Sequence, residues 1–449
     1  MHLIDAVQLK ENTRLALVGA GGKTTALFRL AEQWVASTEK SILLTTSTHL
    51  AEVEAASADH HIVVRQQADL DIFHPALPQG VVLLSGPSIE NSRVAGLPEE
   101  ILEKINQIAD DHQVPLLIEA DGSAQRPLKA PADYEPVIPD FVDAVIVVVG
   151  MSAVGRRLDQ NWVHRVELFS SLTGLGENSK ITVQSISKML LSPVGGLKDI
   201  PAGVRKIVLF NQCEGAQAAG AAKAITRRLL QTYEQVIIAS LKTKSSQEVI
   251  SSNFPVAGIV LAAGGSQRLG QPKQLLDWQG QPFVTAVVKT AQAAGLSPVY
   301  VVVGASASEV ESALTGLEVE IFRNPDWESG QASSLRIGIE NLPPEIQAAV
   351  VLLVDQPQIP PTLIEALIAE HAIQNAPIVA PMIDHRRGNP VLFDRETFRD
   401  LTSISGDIGG RKIFSRYPVH FLPWLDPRLG LDVDSPEDYQ RLIDAWKPT

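Results

Sequence analysis

The residues GIVLAAGGSQRLGQPKQLL at positions 258–276 constrain the fold of this chain more than any other segment. The apolar run 259–261 predicts a buried strand, and the small residues that follow it let backbone N–H groups approach an anion closely. Arg268 and Lys273 come next, at a spacing that can bring both cations over the same phosphates, and Pro272 stiffens the loop beside Lys273. The segment therefore predicts an α/β fold with a site for the tail of a nucleoside triphosphate.

Two acidic positions are candidates for a metal site near these cations. The reaction that a site for a nucleoside triphosphate tail implies is nucleotidyl transfer, which needs a divalent metal. Mg²⁺ prefers one or two carboxylates together with substrate phosphates. Asp355 closes the apolar strand predicted over 349–354, and α/β sheets bind ligands at the carboxyl ends of such strands. Asp432 and Asp434 lie two residues apart and point to one face if extended, so either can be the second ligand, and we select Asp434. Ser435 directly after it is expected to cap a helix.

Residues 256–449 resemble the molybdenum cofactor cytidylyltransferases, a branch of the MobA-like nucleotidyltransferases. The segments that carry the resemblance are LAAGGSQRLGQPKQLL, NPDWESGQASSLRIGI, LLVDQP, RGNPVLF, SGDIGGR and LDVDSPEDY. The resemblance implies a Rossmann-like domain of the nucleotide-diphospho-sugar-transferase type. It also implies a magnesium-dependent activity that transfers CMP from CTP to the terminal phosphate of molybdopterin and releases pyrophosphate.

The same resemblance implies a role for each matched residue. The catalytic residues are Arg268, Lys273, Asp355 and Asp434, of which Asp355 and Asp434 hold Mg²⁺. The nucleotide-binding residues are Leu261, Ala262, Ala263, Gly264, Gly265, Ser333 and Ser334. The acceptor side is bordered by Arg387, Gly388, Asn389 and Pro390, where the basic turn either holds the acceptor phosphate or is simply solvated. Related guanylyltransferases carry Gly at the position of Ala263, and the added methyl group narrows the pocket in favour of cytosine.

A second phosphate loop is predicted near the start of the chain. The apolar run 15–18 leads into GAGGKTT at 19–25, and apolar residues then recur at three- and four-residue intervals, as one buried helix face requires. This order of strand, Gly-rich turn, Gly-Lys-Thr and helix is that of a P-loop, although Leu17 stands where the full motif has its first Gly. The predicted nucleotide-binding residues are Gly19, Gly21, Gly22, Lys23, Thr24 and Thr25.

Two later segments are predicted to lie beside this loop. The hydrophobic strand at 114–118 ends in Glu119 and Asp121, the type of group that orders Mg²⁺ opposite the hydroxyl of a P-loop threonine, here Thr24. The residues Asn-Gln-Cys-Glu at 211–214 follow another strand and are a partial match to a guanine-reading Asn-Lys-x-Asp loop. Gln212 and Glu214 replace the Lys and the Asp of that pattern.

Residues 1 to about 245 resemble the YqeC family, accessory proteins of selenium-dependent molybdenum hydroxylases. The matching segments are LVGAGGKTT, IEADGSAQRPLKAP, YEPVIP, VVVGMSAVGRRL and WVHRVEL. The resemblance implies that Lys23 and Thr24 contact the phosphates of ATP or GTP and that Asp121 is the magnesium-side acid. It places a basic patch of Arg126 and Lys129 beside them, with His164 and Arg165 near the same cleft. A molybdenum hydroxylase apoenzyme is the expected protein partner.

Composition limits the class of protein. The formal net charge of −13 argues against a general nucleic-acid surface, because such surfaces are basic. The single cysteine, Cys213, excludes an internal disulfide and a multi-cysteine zinc site. No apolar run reaches about 18 residues, so no membrane association is expected, and without a signal segment we expect a cytoplasmic protein.

The alternation of short aliphatic strands with helical segments predicts two three-layer α/β domains with mainly parallel sheets. The first, P-loop-like, spans 1–245, a polar linker covers 246–255, and the nucleotidyltransferase domain covers 256–449. In the second domain, strands are predicted near 257–261, 298–303, 318–322, 348–354 and 377–380, with an antiparallel excursion around 391–393 and 419–422. Two alternatives to the cytidylyltransferase remain open: a nucleotide-switched cofactor chaperone for a molybdenum hydroxylase, and a transferase that uses GTP or a sugar phosphate.

Overall fold

A computed structural model describes residues 1–74, 76–90, 92–242, 245 and 247–447 of the chain. It divides into two compact units, Met1–Asn253 and Phe254–Thr449. Both units are α/β with mainly parallel sheets, so the predicted fold class is confirmed.

The sheet of the first unit contains nine strands among the described residues. In chain order they are β1 Arg14–Gly19, β2 Ile42–Thr46, β3 His60–Val63, β4 Val81–Ser85, β5 Leu116–Glu119, β6 Ala144–Gly150, β7 Arg205–Asn211, β8 Gln235–Ala239 and β9 Val249–Asn253. Their spatial order is β9-β8-β7-β6-β1-β5-β2-β4-β3. All pairs are parallel except β8 with β9, so the phosphate-loop strand β1 lies between β6 and β5 near the middle of the sheet.

The linker predicted over 246–255 is wrong for its larger part, because β9 belongs to the first sheet. Ser251 and Ser252 make this segment look like a polar connection, but both are buried, and the amide of Gln235 donates to the Ser252 hydroxyl at 2.7 Å. The polar residues therefore satisfy each other at the sheet edge. Thr243, Lys244 and Ser246 of the predicted connection lie outside the described residues.

Helices cover both faces of this first sheet. They are α1 Leu3–Val7, α2 Lys23–Thr38, α3 Glu52–Ala55, α4 Glu99–Asp111, α5 Val166–Thr173, α6 Val183–Leu190 and α7 Ala216–Leu229. The side chains of β1 alternate between two hydrophobic clusters, with Ala16 and Val18 in one and Leu15 and Leu17 in the other. The sheet is thus the middle layer of three, as predicted.

The second unit has its own sheet. Its strands are β10 Val256–Ala262, β11 Val299–Val303, β12 Glu320–Arg323, β13 Ala348–Leu353, β14 Ile378–Ile383, β15 Arg386–Arg387, β16 Val391–Asp394 and β17 Val419–Trp424. The spatial order is β12-β11-β10-β13-β16-β14-β15, and β17 also pairs with β14. The five strands predicted for this domain are confirmed, and β16 is antiparallel to β13 as expected. The prediction for 419–422 is wrong in direction, because β17 runs parallel to β14.

The helices of the second unit are α8 Phe283–Ala293, α9 Ala307–Ala313, α10 Gln331–Glu340, α11 Pro361–Gln374, α12 Phe398–Ser403 and α13 Pro436–Ala445. Ser435 caps α13, its side chain accepting from the N–H of Asp438, as predicted. No helix among the described residues of either unit is long and apolar enough to span a bilayer.

Candidate nucleotide sites

The loop after β10 is held in shape by a buried glutamine. Gln274 donates to the carbonyl of Ala262 at 2.9 Å and to that of Gly264 at 2.7 Å. The N–H of Lys273 donates to the Ser266 hydroxyl at 2.9 Å, which fixes the start of the lysine side chain. Gln274 is a functional residue that was not predicted, although its position directly after Pro-Lys lies within the motif.

Side chain size is restricted at this loop. A Cβ on Gly265 would lie 2.8 Å from the ring of Trp327, so this position packs against the segment that precedes α10. Ala263 is 5% exposed, and its carbonyl accepts from the N–H of Ala305. The loop after β10 is therefore in contact with the residues that follow β11.

Four predicted catalytic side chains come together at the carboxyl ends of the strands. The Lys273 Nζ lies 2.7 Å from Asp355 Oδ2 and 3.1 Å from Asp434 Oδ1. Arg268 is largely exposed, and its guanidinium lies 3.9 Å from Asp434 Oδ2. Burial opposes the charge of Lys273, but the carboxylates of Asp355 and Asp434 outweigh burial and raise its pKa. Residues 268, 273, 355 and 434, far apart in sequence, thus form one charged cluster.

The aspartates of this cluster fit a magnesium ion bound together with a phosphate. Asp355 Oδ1 is buried and has no hydrogen-bond partner, which leaves a carboxylate oxygen free to act as a ligand. Among the described residues there is no group of three or more His, Cys, Asp and Glu side chains that could hold a metal without help. Two carboxylates completed by phosphate oxygens and water are the set that Mg²⁺ prefers.

Asp432 has a different environment from Asp434. Gln356 donates to Asp432 at 2.6 Å, and burial together with the nearby Asp355 carboxylate raises the pKa of Asp432 to about 6. Gln358 donates to the carbonyl of Leu431 at 2.6 Å. These two glutamines were not among the predicted site residues. Their hydrogen bonds connect the segment after β13 to the segment before α13.

The predicted acceptor residues lie beside the end of β13. Val391 pairs with Val351 in the antiparallel ladder, so residues 388–390 run next to the last residues of β13 and the turn at Asp355. Pro390 and Gln356 line the same small cavity. The Arg387 guanidinium stacks over the ring of Phe414 at 6.0 Å.

Ser333 and Ser334 lie in the first turn of α10, directly after Gly330. Both hydroxyls accept from the Asn324 amide, at 2.8 Å and 2.9 Å. In this structure the two serines anchor the start of the helix to the loop after β12.

The first unit builds its phosphate loop between β1 and α2. Gly21 and Gly22 have φ values of +91° and +119°, and a Cβ on Gly21 would lie 2.3 Å from the backbone of Gly150. Within the described part of the chain, the N–H groups of residues 21–25 have no acceptor. Consecutive free N–H groups at a helix start can accept an anion, and the predicted phosphate-binding residues lie at this loop.

Lys23 is buried at the base of this loop. Its Nζ donates to the Gly19 carbonyl at 2.8 Å and lies 3.1 Å from Asp121 Oδ1 and 3.7 Å from Glu119 Oε1. Burial acts against its charge, but Asp121 and Glu119 outweigh burial and raise the pKa of Lys23.

The two carboxylates after β5 have separate roles. The Thr24 hydroxyl donates to Glu119 Oε2 at 2.9 Å, whereas Asp121 accepts from the Gly19 N–H at 2.9 Å and from Lys129 at 2.7 Å. The sequence left both carboxylates open and the resemblance implied Asp121 as the magnesium-side acid, but in this structure the carboxylate on the threonine is that of Glu119. Burial raises the pKa of Glu119 to about 7, even though Lys23 and the Thr24 hydroxyl favour its ionised form.

Lys129, which the resemblance placed in a basic patch, does not lie on the surface. This residue is 3% exposed and forms ion pairs with Asp121 and Glu135, and Glu135 also binds Arg165 at 2.8 Å. Burial and the cations Arg165 and Lys129 lower the pKa of His164. Lys129, Glu135 and Arg165 therefore form one charge network near the predicted cleft, with Lys129 buried and Arg165 and the neighbouring His164 half-buried.

Comparison with known proteins agrees with the division into two units. The family described as YqeC protein matches residues 15–167, and the MobA-like NTP transferase domain matches residues 258–421. The "Uncharacterized protein YqeC" of Escherichia coli is 33% identical over 220 residues, which cover 48% of this chain and 83% of that protein. The chain joins a YqeC-family unit to a MobA-like NTP transferase domain.

Two further similarities concern the MobA-like domain. A "Probable molybdenum cofactor guanylyltransferase" of Bacillus cytotoxicus is 36% identical over 92 residues, 20% of this chain and 45% of that protein. The crystal structure of Rv0371c from Mycobacterium tuberculosis is 33% identical and has a TM-score of 0.38, covering 42% of this chain and 98% of that one. The assignment of the second unit as a MobA-like NTP transferase domain rests on the family match to residues 258–421.

Proposed function

We propose that the MobA-like domain is a CTP:molybdopterin cytidylyltransferase, which transfers CMP from CTP to the terminal phosphate of molybdopterin and releases pyrophosphate. The observation that carries this proposal is the cluster in which Lys273 touches both Asp355 and Asp434. A cation between two carboxylates, at the end of a small-residue loop, has the charges that a metal-bound triphosphate requires.

Each residue of the cluster has a proposed task. Lys273 and Arg268 bind the triphosphate, and Asp355 and Asp434 hold Mg²⁺. When bound, the metal neutralises the charge that develops on the leaving pyrophosphate. The chain holds the acceptor phosphate in line with the α-phosphorus, so its main contribution is orientation and electrostatic stabilisation. A phosphate acceptor is already ionised near neutral pH, and the reaction therefore needs no general base.

The choice of cytosine is supported by Ala263. Ala263 is buried directly after β10, and its carbonyl accepts from the Ala305 N–H. In this proposal its methyl group, which the glycine of related guanylyltransferases lacks, narrows the space available to a base. A smaller pyrimidine suits this space better than guanine. The base assignment distinguishes this chain from the relative named as a guanylyltransferase.

For the YqeC-family unit we propose a nucleotide-binding maturation module for molybdenum hydroxylases. Gly19, Gly21, Gly22, Lys23, Thr24 and Thr25 bind the phosphates of ATP or GTP. Thr24 and a carboxylate after β5 hold Mg²⁺, and the hydrogen bond from Thr24 favours Glu119 for this task over Asp121. In the second candidate function, nucleotide turnover switches the unit as a chaperone that delivers the cofactor to a molybdenum hydroxylase apoenzyme.

The transferase proposal is tested with the full chain, Mg²⁺, molybdopterin and either CTP or GTP, by measuring pyrophosphate release. We expect release with CTP and a loss of about 100-fold or more in Asp355→Asn, because a metal ligand is removed. Asp400→Asn, on α12 and outside the charged cluster, where the carboxylate pairs with Arg416, is the matched control and keeps the activity. Turnover with GTP but none with CTP contradicts the base assignment, and full activity of Asp355→Asn contradicts the site.

A further inference from the structure

The loops that follow β7 and β8 form a second set of polar groups beside the phosphate loop of the YqeC-family unit. β7 and β8 run parallel to β1 in one sheet, so their carboxyl ends lie at the edge that carries the phosphate loop. The proposed function assigns no task to these loops. We propose that residues 211–214 after β7, together with Ser240 after β8, bind the base of the nucleotide and select guanine, with Glu214 as the residue that contacts the base. This inference rests on the proposed nucleotide binding of the unit.

Asn211 connects the loop after β7 to the phosphate loop. It is 4% exposed, and its amide donates to the carbonyl of Gly21 at 2.8 Å. Its Oδ1 accepts from the N–H of Leu241, after β8, at 3.0 Å. One buried side chain therefore joins the phosphate loop to both loops of the proposed base site.

Gln212 continues this connection. Its backbone has a φ of +59°, and its amide donates to the same Gly21 carbonyl at 3.2 Å. The Ser152 hydroxyl donates to the other end of the Gln212 amide. The side chain is thus held across the phosphate loop, between that loop and the position of Glu214.

Glu214 is the exposed acid of the pair of loops. Ser240, at the end of β8, donates its hydroxyl to Glu214 Oε1 at 3.0 Å, and the N–H of Cys213 donates to the Ala239 carbonyl at 3.2 Å. The carboxylate therefore has a fixed position while it stays open to solvent. It follows Asn211 and Gln212 at the same edge of the sheet as the phosphate loop, and in this proposal the base of a nucleotide held by Lys23 lies against it.

A carboxylate in this position favours guanine over other bases. The Watson–Crick edge of guanine carries two adjacent donors, N1–H and the 2-amino group, and a carboxylate accepts both in a bidentate pair. Adenine presents the lone pair of N1 at the same place and has no 2-amino group, so it faces the carboxylate with an acceptor. Hydrogen bonds to a charged group contribute about 1.5–3 kcal/mol, which corresponds to a preference of about 10- to 100-fold.

The test is calorimetric titration of the full chain with GDP, ADP and xanthosine diphosphate in the presence of Mg²⁺. Binding that disappears in Lys23→Ala is assigned to this unit, which separates it from the MobA-like domain. We expect GDP to bind about 10- to 100-fold more tightly than ADP. In Glu214→Gln, which keeps the shape of the side chain, GDP should weaken by a similar factor and xanthosine diphosphate should gain, because the amide donates to its 2-oxo group.

The outcomes separate the base inference from the phosphate loop. Equal binding of GDP and ADP that Lys23→Ala abolishes overturns the role of Glu214 and leaves the phosphate loop intact. If the Lys23→Ala variant binds the nucleotides as tightly as the wild-type chain does, both the role of Glu214 and the phosphate loop are overturned. A switch from GDP to xanthosine diphosphate in Glu214→Gln, with an unchanged melting temperature, supports the inference and does not depend on the outcome of the cytidylyl-transfer experiment.

Discussion

At the residue scale, the charged clusters of the two units differ in how far their acidic side chains are buried. In the second unit Asp434 is half exposed at 51% and Lys273 lies between it and Asp355. In the first unit Lys23, Glu119 and Asp121 are all buried. A buried acid that is not fully compensated resists ionisation, so the first cluster makes the stability of its unit depend on pH.

The prediction at the residue scale concerns how Glu119 makes the free energy of unfolding depend on pH. Its pKa in the folded chain, about 7, lies above the ordinary value of 4.5, mainly through burial. Between these two values the folded state holds more protons than the unfolded state, so the free energy of unfolding falls as the pH rises. Glu119→Gln removes this dependence and should leave the first unit more stable above pH 7 by an amount on the order of 3 kcal/mol.

The measurement is urea unfolding of the full chain at several pH values, followed by hydrogen exchange in peptides of β1 and β5. Glu99→Gln, an exposed residue of the first turn of α4, is the control and keeps the wild-type pH profile. A wild-type profile that is flat between pH 5 and 7, within error of Glu119→Gln, would contradict the assigned burial effect.

At the element scale, the strand–loop–helix units depend on glycines for specific reasons. Gly21 has φ +91°, and a Cβ there would lie 2.3 Å from the Gly150 backbone, which cannot move without shifting β6. Gly155 also has a positive φ, +80°, but nothing lies within 4 Å of its Cβ position. A comparison of substitutions at these two glycines therefore separates the cost of steric overlap from the cost of backbone strain.

We therefore expect Gly21→Ala to cost the first unit about 1–3 kcal/mol more than Gly155→Ala, because only the former adds overpacking to the strain of a positive φ. The free energy of unfolding of both variants, measured in urea, checks this. Gly21→Ala should also lose GDP binding. Equal destabilisation by the two variants is the result that would refute the close packing of the phosphate loop.

The sequence predicted those features that local patterns determine. An aliphatic run followed by small residues identified β1 and β10, and Ser435 followed by Pro436 identified the start of α13. The partner of Thr24 was not predictable, because both carboxylates follow one strand and the bend after Glu119 decides which of them meets the hydroxyl. β9 escaped prediction for a related reason: the neighbour that satisfies Ser252 is Gln235, on another strand.

At the scale of the whole molecule, each candidate site is built within one unit. The first uses residues from β1, β5, β7 and β8, and the second uses residues that follow β10 and β13 or precede α13. The motifs of the two family resemblances fall in these separate regions of the chain, which is why two separate units could be predicted from the sequence. The buried glutamines at 356 and 358 could not be predicted, since each donates to a residue far along the chain, Asp432 and Leu431 respectively.

The most direct test of the charged cluster in the MobA-like domain is a crystal structure of the full chain with CTP and Mn²⁺, in which anomalous scattering locates the metal. We predict a metal peak bound by Asp355 and Asp434, with the triphosphate against Lys273 and Arg268. A metal–triphosphate complex bound elsewhere, with Lys273 still paired to both aspartates, would contradict the proposed transferase site.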